Sequence, residues 1–179
     1  MRVVAGSLRG RPITAPEGDA TRPTTDRARE AVFNALNSLG AIEDANTLDL
    51  YAGSGALGIE AISRGAKRCT FVERDRRALE AIRSNVERLG ISNRSSVLAG
   101  DVSTLLSGLR QMDLVLADPP YGFDDWDRLL PAVEPCLAPD ALLVAESDRE
   151  IEVGEGWEIV RSKRYGRAWV TFLRRSSTD

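Results

Sequence analysis

The chain has 179 residues, a formal net charge of −3, two cysteines and no histidine. That length supports one domain with a sizeable core, and the lack of histidine excludes Ser-His and Cys-His nucleophile systems, most catalytic zinc sites and histidine acid–base chemistry. Any reaction must be run by carboxylates, a tyrosine, backbone groups or a borrowed cofactor.

The N-terminus, "MRVVAGSLRGR", lacks the apolar core of a secretory signal, and no stretch is long and apolar enough to span a bilayer, so a cytoplasmic location with no membrane partner is expected. "VVAG" and "RPITAP" are broken by Gly and Pro, which predicts a small β-hairpin extension over residues 1–22 ahead of a domain over 23–179. The ends are basic. Residues 1–29 sum to +3 and residues 161–179 to +5, leaving −11 on the body between them. That asymmetry suggests an anionic partner, although terminal charges are also found simply solvated.

From residue 25 onward helical and strand patterns alternate. In "TTDRAREAVFNALNSLG", Ala28, Ala31, Val32, Ala35, Leu36 and Leu39 fall on one helical face, Thr25 or Asp26 can cap the start and Gly40 marks the end. "NTLDLYA" reads as a strand, followed by a Gly-rich turn and a helix near 57–64. "RCTFVER" is a second strand with a helix over 77–89 after it, and "SSVLAGD" a third with a short helix through Leu109. "MDLVLAD" is a fourth with a helix around 126–137, and "ALLVAES" a fifth. This alternation predicts an α/β fold: a doubly wound, Rossmann-like, mostly parallel sheet covered on both faces. "WEIVRSKRYGRAWVTFLRR" predicts an antiparallel C-terminal hairpin. Cys69 and Cys136 stand apart in apolar segments and read as core thiols, with no metal site expected.

Gly53, Gly55 and Gly58 form GxGxxG between the first strand and its helix. Glycines there allow a tight turn and close approach of a ligand, though a strand–helix turn also uses glycine only to pack. Asp49 precedes the first glycine by four residues, and Glu73 follows it by 20, at a strand end where an acid commonly takes ribose hydroxyls. Together they point to a nucleoside cofactor. A dinucleotide would seat its pyrophosphate on the helix N-terminus; S-adenosylmethionine would offer an ammonium to Asp49, directly or through water, and its adenine amino group to Asp101. In a doubly wound sheet Asp49, Glu73, Asp101 and Asp118 converge on one edge.

"DPPYGFDDWD" begins where the fourth strand stops. Proline donates nothing to a sheet ladder, so Pro119 and Pro120 end the strand and stiffen the loop beyond it. This is either a plain turn or a rigid shelf at an active site. Trp126 reads as packing, Asp124 or Asp125 as the cap of the next helix, and Phe123 as packing or as part of a base pocket.

The order "DLYAGSGALG", "VERD", "AGD", "DPPY" resembles the class I S-adenosylmethionine-dependent methyltransferases, and "DPPY" resembles the [DN]PP[YFW] motif of enzymes that methylate amino or amide nitrogens. With "MRVVAGSLRGRPI", "RPTTDRAREAVFNAL" and "KRYGRAWVTFL", the chain is similar over about residues 1–174 to the RsmD family, which methylates N2 of a guanine (guanine-966) in bacterial 16S ribosomal RNA. The resemblance implies S-adenosylmethionine as cofactor, held by Asp49, Tyr51, Gly53, Ser54, Gly55, Glu73, Arg74, Asp101 and Val102. It implies catalysis by Asp118, Pro119, Pro120 and Tyr121, with the aspartate and the Pro119 carbonyl accepting from the target amine and the ring stacking on the base. The substrate would be an assembled or partly assembled small ribosomal subunit, met by the chain as a monomer. Arg2, Arg9, Arg11, Arg22, Lys163, Arg164 and Arg167 would contact phosphates, and the target base would leave its stack to enter the pocket. The other readings are amino methylation of another base or of a protein amide, a nicotinamide oxidoreductase, and a non-catalytic RNA-binding assembly factor.

Overall fold

The computed structural model describes residues 1–16 and 26–176. Its elements are α1 (Asp26–Ser38), β1 (Asn46–Leu50), α2 (Ala56–Ser63), β2 (Arg68–Glu73), α3 (Arg76–Leu89), β3 (Ser95–Ala99), α4 (Val102–Leu105), β4 (Met112–Ala117), α5 (Trp126–Val133), β5 (Leu137–Ser147), β6 (Trp157–Tyr165) and β7 (Ala168–Arg175). The strands form one sheet in the order β3-β2-β1-β4-β5-β7-β6. The first five are parallel, and β7 runs antiparallel to both β5 and β6. This is the expected doubly wound sheet with its antiparallel tail. No helix among the described residues is long and apolar enough to cross a membrane.

Period-2 alternation divides the core between the two sheet faces. Leu114 and Leu116 of β4 pack with Val32, Phe33 and Leu36 of α1, while Val115 and Ala117 pack with Trp126, Leu129 and Val133 of α5. A third cluster joins Ile59 and Ile62 of α2 to Phe71 of β2 and to Ile82 and Val86 of α3. Cys69 and Cys136 are buried free thiols. Asp75 caps α3 by accepting from the Ala78 N–H at 2.9 Å, and the helix ends at Gly90 in the left-handed region.

Two local expectations shift. The buried stripe of α1 is Arg29, Val32, Phe33, Ala35 and Leu36, and Leu39 is exposed. The helix is therefore turned so that a charged residue, Arg29, occupies the core side that apolar periodicity assigned to Ala28 and Ala31. The helix after β4 is shorter than 126–137: it ends at Val133 and tightens into a 3₁₀ turn over Glu134–Cys136, whose Pro135 has no N–H to continue an α-helix. Thr25 lies outside the described residues, and the Asp26 carboxylate pairs with Arg29 at 2.9 Å.

Residues 1–13 double back on themselves, with an antiparallel bridge between Arg2 and Pro12, and press Val3 and Ile13 into the α2–α3 cluster. Their anchor is Glu60, fully buried in α2. Its carboxylate accepts from the Val4 N–H at 2.8 Å and the Ala5 N–H at 3.0 Å. It also pairs with Arg64 Nε at 2.7 Å and lies 3.7 Å from Arg29 Nε. Removing one partner of a buried ion pair strands the others and costs about 3–5 kcal/mol. Glu60→Ala is expected to lose that much stability, read as a lower denaturant midpoint with a wild-type m-value.

Candidate active site

Glu73 closes β2, Asp101 follows β3 by two residues and Asp118 follows β4 directly, so all three stand at the carboxyl edge of the parallel strands. Asp49 sits one residue inside β1 and is 1% exposed. Its Oδ2 accepts from the Gly58 N–H at 2.9 Å. Burial, with a smaller push from the Glu73 charge, raises its pKa to about 8 against the lowering effect of that hydrogen bond. The Asp49 carboxyl lies beneath α2 and holds the helix start, so of the two expected routes to a ligand ammonium, direct or through water, its burial favours the one through water. Gly58 is there for close packing, since a Cβ would run into the Phe71 ring and the Cys69 sulfur.

Above that packed layer lies the loop 51–55. Gly53 donates its N–H to Glu73 Oε2 at 2.9 Å, and Glu73 Oε1 accepts from the N–H groups of Arg74 and Asp75 at 2.8 and 2.9 Å. Three backbone donors thus aim one carboxylate at the Gly-rich loop. Asn85 of α3, fully buried, donates to the Ser54 carbonyl at 3.0 Å and to the Thr14 carbonyl at 2.9 Å, tying that loop to the N-terminal segment. The space over Gly53 is open, because a Cβ there would meet nothing nearer than the Tyr51 carbonyl at 4.0 Å. Asp101 is the N-cap of α4 by position, but its carboxylate makes no capping bond. It faces outward, paired at 3.2 Å with Arg74, which is also exposed. Val102, next in sequence, is buried.

The loop after β4 is a shelf. The Asp118 N–H reaches the Leu50 carbonyl at 3.5 Å, Pro119 is buried and Pro120 exposed. The Phe123 N–H then bonds back to the Pro120 carbonyl at 3.1 Å, with Gly122 at φ +79° in the third position: a type II turn, which demands glycine there. Tyr121 occupies the second position and is 83% exposed, an unusual placement for a large ring. Underneath, Phe123 packs on Tyr51 (ring centroids 5.7 Å apart) and edge-on to Trp126 (5.1 Å), so the aromatic run joins the shelf to the Gly-rich loop. Tyr51 has φ +58°, rare for a bulky residue. Asp125 is the N-cap of α5, yet its side chain makes no capping bond.

The basic residues divide. Ser147 of β5 pairs with Trp169 of β7, and Tyr165 pairs with Ala168, so the β6–β7 turn projects from the same sheet edge as Asp118. It brings Lys163, Arg164 and Arg167 to the site side, all exposed, with the Lys163 ammonium over the Tyr165 ring at 5.3 Å and Arg164 Nε bonded to the Gly166 carbonyl at 3.0 Å. Arg11 is committed elsewhere. Its guanidinium donates to the Arg88 and Leu89 carbonyls at 2.7 and 3.3 Å, capping the C-terminus of α3. Arg9 lies in the exposed turn packed on the C-terminal end of α2, on the side away from the strand ends. Arg2 is exposed and bonds to the Gly10 carbonyl at 2.8 Å, and Arg22 lies outside the described residues.

A sequence model of the family described as "Conserved hypothetical protein 95" matches residues 1–174. The chain belongs to this family, the RsmD family. Ribosomal RNA small subunit methyltransferase D of Escherichia coli K12 is 36% identical over 93% of this chain and 85% of its own length. YlbH of Bacillus subtilis, named as an rRNA methyltransferase, is 35% identical over 98% of this chain and 99% of its own. The solved structure of yhhF from Escherichia coli superposes with a TM-score of 0.87 at 33% identity, covering 99% of both chains.

Three residues that matter to this edge escaped the sequence reading: Arg29 and Glu60, which are charged residues on buried faces, and Asn85, which reads as an ordinary polar helix position. Only the i, i+4 spacing of Glu60 and Arg64 hinted at a pair. The raised Asp49 pKa has a testable sign. A carboxyl that binds its proton more tightly in the folded state favours folding fully below about pH 4, and that contribution erodes as pH climbs toward about 8. Asp49→Asn, which retains an acceptor for Gly58, is expected to gain stability relative to wild type steadily from pH 5 to 8 in parallel denaturation curves.

Proposed function

We propose that this protein transfers a methyl group from S-adenosylmethionine to the exocyclic N2 of a guanine in 16S ribosomal RNA, of the guanine-966 type, within an assembled or partly assembled small subunit. The observation that carries the reading is the Asp118-Pro119-Pro120-Tyr121 shelf, with its ring held out from the sheet edge beside a Gly-rich loop braced by Glu73. Family membership and the names of the relatives support rRNA methylation.

The residues present fit the cofactor. The open face of Gly53 leaves room for a nucleoside, Glu73 stands beside it for the ribose, and the outward-facing Asp101 carboxylate, paired on one oxygen with Arg74, suits an adenine amino group. S-adenosylmethionine, when bound, supplies a methyl group already activated by its sulfonium, so the protein needs no strong base. Asp118 and the Pro119 carbonyl accept hydrogen bonds from the two hydrogens of the target amine, fixing the orientation of its nitrogen; the prolines hold the two acceptors in place, and Asp118 takes the proton that N2 sheds, made acidic by methylation, and passes it to water. Tyr121 stacks on the extruded base. The exposed cations of the β6–β7 turn take flanking phosphates on the same edge.

Losing one positioned hydrogen bond costs about 100-fold in rate. Labelled methyl transfer into small subunits should therefore fall about 100-fold in Asp118→Ala while cofactor affinity stays near wild type. A loss of affinity with turnover intact would instead place Asp118 among the cofactor ligands. Tyr121→Phe should keep most activity and Tyr121→Ala little. In binding titrations, Arg164→Ala with Arg167→Ala should reduce the slope of log affinity against log salt by about 1–2. Arg11→Ala should leave that slope alone and destabilise the fold instead.

A further inference from the structure

Asp118 has a neighbour at the sheet edge that the family motifs do not single out. The last register pair between β4 and β5 is Ala117 with Ala145. Asp118 and Glu146 are therefore the next residues on adjacent parallel strands. Leu116 and Val144 belong to the α1-side core while Ala117 and Ala145 belong to the α5-side core, so alternation carries Glu146 to the α1 side. There it lines a cleft between α1 and the sheet that it shares with the buried Arg29, floored by Leu116, Val144 and Val170 and walled by Val32 and Leu57. Glu146 is partly buried.

We propose that Glu146 reads the N1–H of the target guanine and so sets the base specificity of the amine site, an assignment that rests on the guanine-N2 reading above. The chemistry follows from the edge of the base. Beside its exocyclic amine guanine presents N1–H, a donor, whereas adenine and cytosine present a ring nitrogen lone pair in the corresponding place. Asp118 takes the amine but accepts from any amino base. A carboxylate one strand over accepts from N1–H, and it repels a lone pair. The aliphatic side chains of the cleft limit competition from water at that edge, and the Arg29 guanidinium in the same lining favours the ionised form of Glu146.

The test compares two targets that both carry the 2-amino group. Small subunits are reconstituted with 16S RNA holding either guanosine or 2-aminopurine riboside at the methylated position; the second has a lone pair at N1 in place of the hydrogen. Wild type should prefer guanosine by about 10- to 100-fold in kcat/KM. Glu146→Gln, whose amide donates to a lone pair, should shrink that preference at least tenfold by slowing guanosine and sparing 2-aminopurine. Glu146→Ala should lose the guanosine advantage without gaining on the analogue. Each ratio is taken within one enzyme, so a general loss of folding or cofactor binding cancels. A ratio unchanged in both variants overturns the assignment. If wild type on native subunits forms a product other than N2-methylguanosine, the guanine-N2 reading falls and takes this assignment with it.

Discussion

One buried carboxylate organises the molecule. Glu60 is enclosed in α2 with two backbone amides of the N-terminal segment and two guanidinium groups around it. An ionised group so buried is tolerable only when it is paired and hydrogen-bonded; its donors are the amides of residues 4 and 5 and Arg64 of α2, and Arg29 of α1, 3.7 Å away, adds a second positive charge while donating to the Arg2 carbonyl. The N-terminal segment, α1 and α2 are thereby locked together. Because α2 springs directly from the Gly-rich loop, whatever fixes α2 also fixes that loop.

Two further links carry the constraint to the edge where chemistry is proposed. Asn85 bonds Thr14 on one side and Ser54 on the other, so the end of the N-terminal segment is coupled to the loop by a single amide. The Tyr51–Phe123–Trp126 run then spans from the loop to the shelf after β4. Loop and shelf are each short, the loop holding Tyr51 in a backbone conformation rare for a bulky residue and the shelf turning on Gly122. Rigid support from packed neighbours is what such geometry requires. The basic β6–β7 turn reaches the same edge because β7 is antiparallel to β5, a topological consequence rather than a contact.

The sequence exposed the sheet and most of the edge because both are written in local patterns. Strand ends could be read from "VERD", "AGD" and "DPPY", since apolar runs of four to six residues stop at acids or prolines, and β4 does stop at Ala117. Where position depends on packing in three dimensions, reading failed. The α1 stripe is turned from its apolar pattern because a buried arginine is invisible to apolar periodicity: Arg29 is buried with its guanidinium on the Arg2 carbonyl and the Asp26 carboxylate and near Glu60. Asp49 reads like the other strand-end acids, but lying inside β1 it points beneath α2. Arg11 reads as a free cation until α3 ends beside it. Likewise β5 begins at Leu137 rather than Ala141: the register shifts between Met112 and Leu114, which admits Pro139 into an irregular strand start.

The proposed chemistry stands or falls on which atom is methylated. Small subunits purified from cells lacking this protein should be incubated with the protein and labelled S-adenosylmethionine, and the 16S RNA digested to nucleosides. The account predicts label in N2-methylguanosine at one position. Label in a methylated adenine or cytosine, in ribosomal protein, or in nothing while the cofactor still binds, would contradict it.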